Sequence, residues 1–380
     1  MSRYTLRGSP ELDQRIDADL ARVAAALAAT PEAPLFRGLV LLGGYGRGEG
    51  TPLIRDGAQF PFNDYDLIVV SQPLTRGRRA QVQACLRQLE ERLTRDLGLP
   101  VDLCLYPANH LPGAEFSLLN YELKHGHRVV WGDPACLAAL PAYPHNAVPL
   151  SEGTRLLLNR GKLLLDLRRR HRRTPVSAAT PAEREQAVKF IFKAWLAFGD
   201  CALLLGRRYH LLYAEKKQRL TEADLTGCAD APAIVRDYRR AIEFKEWGDA
   251  RVFDTFDLQP ELARAFATFQ AFFFWYESGR LGAPLPDAET YAKQLRRAGR
   301  EGGQCKALAL NLMLFKSRCL TGPWRWLAAH PRLRLYAILP GLVADDAPPA
   351  PLAARLLCLP ATASRDTVET EFLRLRLRLS

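Results

Sequence analysis

The sequence predicts an α/β domain of the α+β kind with a mixed sheet, followed by an all-α helical domain. Three observations carry this. Residues 38–106 read as strand, glycine turn, strand, helix, strand. Three prolines, Pro141, Pro144 and Pro149, then mark a boundary, and the apolar spacing after them is helical. The charge also changes there: residues 1–150 hold 15 Lys/Arg and 16 Asp/Glu, whereas residues 151–380 hold 38 and 25. A near-neutral half joined to a basic half suits a metal–triphosphate substrate, and equally a nucleic acid or an acidic surface.

In chain order, residues 10–30 form an amphipathic helix. Ser9 is the cap, Pro10 takes a favoured first-turn position, and Leu12, Ile16, Leu20 and Val23 repeat at helical spacing. Gly38-Leu-Val-Leu-Leu42 is an apolar strand that runs into the glycine turn Gly43-Gly-Tyr-Gly-Arg-Gly-Glu-Gly50. Asn63-Asp-Tyr-Asp-Leu-Ile-Val-Val70 is a second strand. Its period of two puts Asp64 and Asp66 on one face, with Cα atoms about 6.5 Å apart. Two carboxylates so placed can share divalent ions about 3.5–4 Å apart. A helix over 77–97 brings the chain back as a neighbouring strand, Pro100-Val-Asp-Leu-Cys-Leu-Tyr106, so Asp102 joins the pair. The glycine turn lets backbone N–H groups approach phosphate oxygens. Together these residues read as a metal-dependent nucleotide site. There is no Gly-x-x-x-x-Gly-Lys-Ser/Thr, and the sixth position counted from Gly44 is Glu49, so neither a P-loop nor a dinucleotide fingerprint is present.

Leu42, Gly43, Gly44, then Asp64, Asp66 and a third acid, Asp102, resemble the pattern of the nucleotidyltransferase superfamily that includes DNA polymerase β. The wording Gly-Gly-Tyr-Gly-Arg-Gly-Glu followed by Asp-x-Asp-Leu looks most like bacterial protein uridylyltransferases and small nucleotidyltransferases. The likeness covers residues 38–106, and 122–132 resemble the segment that closes such catalytic domains. It implies that Asp64, Asp66 and Asp102 are catalytic and hold two Mg²⁺ ions, with an NTP as substrate. Gly43, Gly44 and Arg47 would contact its phosphates. This chain departs from the pattern in a longer spacer, whose residues 51–62 are expected to be a loop insertion serving as lid or pocket wall. It also has Gly44 where a serine is common.

The second half starts with a helix at Ser151, on which Arg155, Asn159, Lys162 and Asp166 share a face. Arg168-Arg-Arg-His-Arg-Arg173 ends it; cations suit a helix C-terminus, and nucleic-acid contact is the alternative. Thr180-Pro-Ala-Glu183 is a capping box that opens a largely apolar helix, with Gln186, Lys189, Lys193 and Asp200 on one stripe. Buried cations need partners or a polar cavity. The stripes read either as one polar cleft or as inter-helix ion pairs such as Lys193 with Asp166. Residues 206–220 mix aromatics with cations. The resemblance implies a helical domain that supplies lysine to the triphosphate, with Lys189, Lys193 and Lys216 as candidates. His125 and His127 flank a glycine and form a weak metal motif. Further helices are expected over 231–245, 260–280, 287–300, 304–319 and 324–330. A linker is expected over 345–351, and an edge strand or basic tail over 373–379. The divisions are 1–148 (catalytic), 149–344 (helical, completing the cleft) and 345–380 (C-terminal extension).

The eight cysteines form no Cys-x-x-Cys and read as reduced core residues, which points to the cytoplasm. No signal-type N-terminus and no uncharged stretch of about 18 residues is present, so no membrane span is expected. The reading that follows is a Mg²⁺-dependent nucleotidyltransferase that moves an NMP from an NTP to an acceptor, releasing pyrophosphate. A small-molecule acceptor is preferred over nucleic acid because the positive charge is scattered over many helices. The alternatives are a protein- or nucleic-acid-directed transferase and a non-catalytic nucleotide-binding regulatory protein of the same fold.

Overall fold

In the computed structural model of the chain, the described residues are 2–298, 303–321, 324–344 and 351–379. The chain is α+β. Its N-terminal part runs α1 (Pro10–Ala28), β1 (Phe36–Leu41), α2 (Gly43–Arg47), β2 (Pro52–Arg55), β3 (Ala58–Pro61), β4 (Tyr65–Ser71), α3 (Arg76–Leu97), β5 (Val101–Pro107), α4 (Leu118–His125) and β6 (Arg128–Gly132). The helices that follow are α5 (Ser151–Arg173), α6 (Pro181–Leu205), α7 (Tyr213–Thr221), α8 (Ala231–Trp247), α9 (Val252–Thr255), α10 (Leu258–Leu281), α11 (Ala288–Ala298) and α12 (Gln304–Phe315). The last are α13 (Arg318–Thr321), α14 (Pro331–Ala344), α15 (Pro351–Leu356) and α16 (Arg365–Arg378).

The chain divides into two compact units. The first comprises Met1–Pro149, Arg207–Glu222 and Arg239–Thr255; the second comprises Leu150–Gly206, Ala223–Tyr238 and Phe256–Ser380. Two later segments therefore belong with the sheet, and the residues from 351 onward belong with the helical unit.

The first unit is built on a mixed sheet of order β5-β4-β1-β6. β1 is antiparallel to β4 and β6, and β4 is parallel to β5 through the α3 crossover. Alternation decides the layers. Leu39, Leu41, Leu67 and Val69 face α1 and α3, whose Leu12, Ile16, Leu20, Val23, Val82, Leu86, Leu89 and Leu93 are buried there. Full burial of such side chains contributes about 1.5–3 kcal/mol each. Val40, Leu42, Ile68 and Val70 face the opposite way, onto Leu123 of α4 and the segment with Cys136, Leu137 and Leu140. Asp66 has the parity of Ile68 and Val70, so it projects from this second face. α3 is bounded by Thr75, which accepts the Arg78 N–H, and by Gly98 in the left-handed region.

The spacer 51–62 is not a loop but a two-stranded hairpin, β2 pairing antiparallel with β3 from Pro52↔Pro61 to Arg55↔Ala58. Its turn residues Asp56 (φ 50°) and Gly57 (φ 77°) both have the positive φ that a type I′ turn requires, and Asp-Gly supplies it.

In the second unit α5, α6, α10 and α14 pack on one another, and α11 packs on α14. Glu277 is fully buried at its centre and accepts from Thr154, Arg280 and Tyr291. Residues 373–378 are helical and Leu379 caps them, so the segment is neither edge strand nor tail. Ser364 caps α16, Leu375 is buried, and Arg365 reaches Glu369 one turn on. These packing contacts override the alternation of the sequence. Residues 324–326 form only a 3-10 turn, and α14, which contains Pro340, follows it. Of the linker expected over 345–351, residues 345–350 lie outside the described residues, as do 299 and 300 of the helix expected over 287–300.

Candidate active site

The three acids predicted from spacing come together. Asp66 and Asp102 are register partners on the parallel strands β4 and β5, and Asp64 lies two residues before Asp66 on the same face. One carboxylate oxygen from each lies within 4.8 Å of the other two. Asp64 and Asp66 are half-buried and Asp102 is exposed. Among the described residues this is the one group of three or more acidic, His or Cys side chains placed to hold a metal ion. The donors are hard carboxylate oxygens, a set that matches Mg²⁺, Mn²⁺ or Ca²⁺ rather than a thiophilic metal.

The glycine turn sits against this group. Leu42 donates its N–H to Asp66 O at 2.8 Å, so the end of β1 is tied to the acid-bearing strand. Gly43 follows with φ +65°, and a Cβ there would lie 2.6 Å from Asp66 Oδ2. Only glycine fits both the conformation and the space. The residues after it form the single turn α2.

Tyr45 fixes the hairpin to the turn. Its buried hydroxyl accepts the Phe62 N–H (2.7 Å) and the Asn63 N–H (3.3 Å) and donates to Thr51 O (3.3 Å). One phenol thus closes both ends of the spacer, immediately before Asp64. Burial holds this phenol well above its ordinary pKa, so it stays neutral. The hairpin is also held from the later segment. Ile54 donates to Gly248 O and accepts from Ala250 N–H, while Phe62 packs on Phe244 and Phe253. Lys245 Nζ reaches Asn63 Oδ1 at 3.3 Å. Sequence reasoning did not single out Lys245; its position is set by a return of the chain that local pattern does not announce.

The other candidates are placed as follows. Arg47 is buried and pairs with Glu122 (2.9 Å) and Glu49 (3.5 Å). Burial opposes its charge, but Glu122, and Glu49 behind it, hold the guanidinium protonated. Glu49 in turn accepts the Tyr213 N–H at 2.8 Å; burial pushes its carboxyl above the ordinary range despite Arg47. Lys216 is 2% exposed and lies over the Tyr209 ring, donating to its hydroxyl at 3.2 Å. Arg47, which lies over the Tyr213 ring, and Glu49 therefore tie residues 207–222 to the glycine turn, while Lys216 braces that segment from within. Lys189 and Lys193 belong to the second unit. Lys189 pairs with Glu185 at 3.1 Å, and Lys162 with Asp166 at 2.6 Å, each within its own helix. His125 Nε2 meets Tyr143 O at 3.0 Å, and burial lowers the pKa of His127.

The basic run at the end of α5 is engaged within its own unit. Arg168 bonds Ala344 O and lies over Phe266, Arg170 bonds Gln186, and Arg169 and Arg172 meet the buried Glu369 of α16.

No family model, no curated protein and no solved structure matches this chain. Among the described residues, no helix is long and apolar enough to cross a membrane.

Proposed function

We propose that the chain is a divalent-metal-dependent nucleotidyltransferase, moving an NMP from an NTP to an acceptor. The observation that carries this reading is the convergence of Asp64, Asp66 and Asp102 to within 4.8 Å, against a glycine whose missing Cβ leaves room for Asp66. Asp64, Asp66 and Asp102 would hold Mg²⁺, which when bound stabilises the charge of an in-line displacement at phosphorus. Asp66, fixed between Gly43 and the β4–β5 ladder, orients the group. Asp102, the most exposed of the three, would face the acceptor and draw its hydroxyl proton. The first amides of α2 have no partner one turn earlier in the helix and would meet phosphate oxygens. Lys245, beside Asn63, would add a cation there. The acceptor oxygen bonds to the α-phosphorus, the bond to the bridging oxygen breaks, and pyrophosphate leaves.

A small-molecule acceptor is supported by the engagement of Arg168, Arg169, Arg170 and Arg172 inside their own unit, which removes the densest basic run as a polynucleotide track. All eight cysteines are free thiols, consistent with a reducing, cytoplasmic setting. The test is incubation with each labelled NTP and Mg²⁺, with and without fractionated cell extract, following pyrophosphate. Release should depend on metal and fall at least about 10²-fold in Asp66→Asn, the loss of several kcal/mol of transition-state stabilisation. Release that is unchanged in Asp66→Asn, or absent with every NTP and fraction, overturns the reading. Label recovered on protein or RNA instead of a small molecule would reassign the acceptor.

A further inference from the structure

Asp102 differs from the other two acids in one respect: it stands on the edge strand. β5 is bonded to β4 on one side only. An edge strand presents unpaired N–H and C=O groups, and a frayed edge would move whatever it carries. Here the open edge is closed by side chains. Val101 donates its N–H to Thr94 Oγ1 at 3.1 Å, and Leu103 donates to Glu90 Oε2 at 2.9 Å. The two acceptors stand four residues apart on α3, about 6 Å along a helix. The two donors stand two residues apart on the strand, about 6.6 Å. One face of the helix is therefore commensurate with one edge of the strand. The N–H groups it grips belong to the residues on either side of Asp102.

We propose that Thr94 and Glu90 are positioning residues that hold Asp102 in register with Asp64 and Asp66; the inference rests on reading the three acids as a divalent-cation site. Both residues line a surface cleft of about 630 Å³ together with Glu91, Arg95, Pro100 and Asp102. Water from this cleft can replace a lost cap, so the variants keep their fold while Asp102 loses its anchor. Outer partners that orient a ligand typically cost 10–100-fold in metal affinity when removed.

The test is Mn²⁺ titration of the full chain by calorimetry, with a melting curve on each variant. Thr94→Val and Glu90→Leu should each weaken Mn²⁺ binding about tenfold or more with little change in melting temperature. Glu90→Gln keeps an acceptor for the Leu103 N–H and should bind nearly as wild type does. In the Asp102→Asn background, Glu90→Leu should cost nothing further, because both changes remove the same ligand. Wild-type affinity in Glu90→Leu overturns the proposal, as does a loss that adds fully to that of Asp102→Asn. Failure of Glu90→Gln to rescue would assign the effect to charge and overturn positioning. A wild-type chain that binds no Mn²⁺ removes the metal reading itself, and the proposal with it.

Discussion

Asp64→Asn should make the metal-free protein more stable and the metal-loaded protein less stable than wild type. Three carboxylates within 4.8 Å repel one another. At that separation two unit charges interact by about 3.5 kcal/mol at an effective dielectric of 20 and about 0.9 kcal/mol in bulk water. Asp64 is half-buried and Asp102 exposed, so screening draws each pair toward the lower figure. Removing Asp64 relieves two pairs, and the isosteric amide leaves the packing intact. The expected gain in EDTA is about 1–3 kcal/mol, or roughly 2–4 °C per kcal/mol for a unit of this size. Mn²⁺ at about 1,000 times its dissociation constant should stabilise wild type by about 4.1 kcal/mol and the variant by far less. Melting curves in EDTA and in Mn²⁺ should therefore cross in rank. A variant that melts lower in EDTA would mean Asp64 serves the fold, and equal Mn²⁺ shifts in both proteins would remove Asp64 from any metal site.

Tyr45→Phe strands the buried Phe62 N–H and should cost about 1–3 kcal/mol in urea unfolding, together with a loss of Mn²⁺ affinity as Asn63 and Asp64 lose their tether. Tyr4, which donates to Asp17 at 2.5 Å, has its phenol pushed up to about 12 by burial and then by Asp17. Its folded pKa lies above its unfolded value near 10, so its contribution is full below about pH 10 and is lost between about pH 10 and 12. Alkaline melting of Tyr4→Phe should lack that component. Fluorescent oligonucleotides should bind weakly, with a log–log salt slope well short of the several units that multiple phosphate contacts produce; a steep slope abolished by neutralising residues 168–173 would restore the polynucleotide reading.

The sheet and the acids were legible because their signals are local. Alternation placed Asp64 with Asp66, and a strand–helix–strand connection has few ways to close, so Asp102 followed. The hairpin at 51–62 was missed although Asp56-Gly57 is a direct turn signal; the prolines at either end of its strands masked it. Residues 373–379 alternate strictly, yet they fold as helix because Phe372 and Leu375 find buried positions and Arg374 pairs with Glu371. Neither fact is written in the alternation. Arg47 and Lys216 illustrate a different limit. Their burial against carboxylate and aromatic neighbours is not written in the local sequence.

The aromatic neighbours come from a return of the chain that also brings charge to the acid-bearing unit. Residues 207–222 and 239–255 lie in the basic half by sequence but in the sheet-bearing unit by packing. They carry 9 Lys/Arg and 6 Asp/Glu, among them Lys216, Lys217 and Lys245, and the aromatics Tyr209, Tyr213 and Phe244. The acid-bearing unit therefore moves from a net of −1 to one of +2 (24 Lys/Arg, 22 Asp/Glu): it stays near neutral, and its added cations come from later in the chain. Some are engaged within these segments themselves, as Lys216 is with Tyr209 and Lys217 with Glu246. Lys245 bonds Asn63, the residue next to Asp64. On the proposed reading, a site that gathers three carboxylates and then admits a polyanion needs positive charge close by. A separate segment, anchored to the hairpin through Phe62 and Gly248, brings Lys245 there without placing cations on β4 or β5.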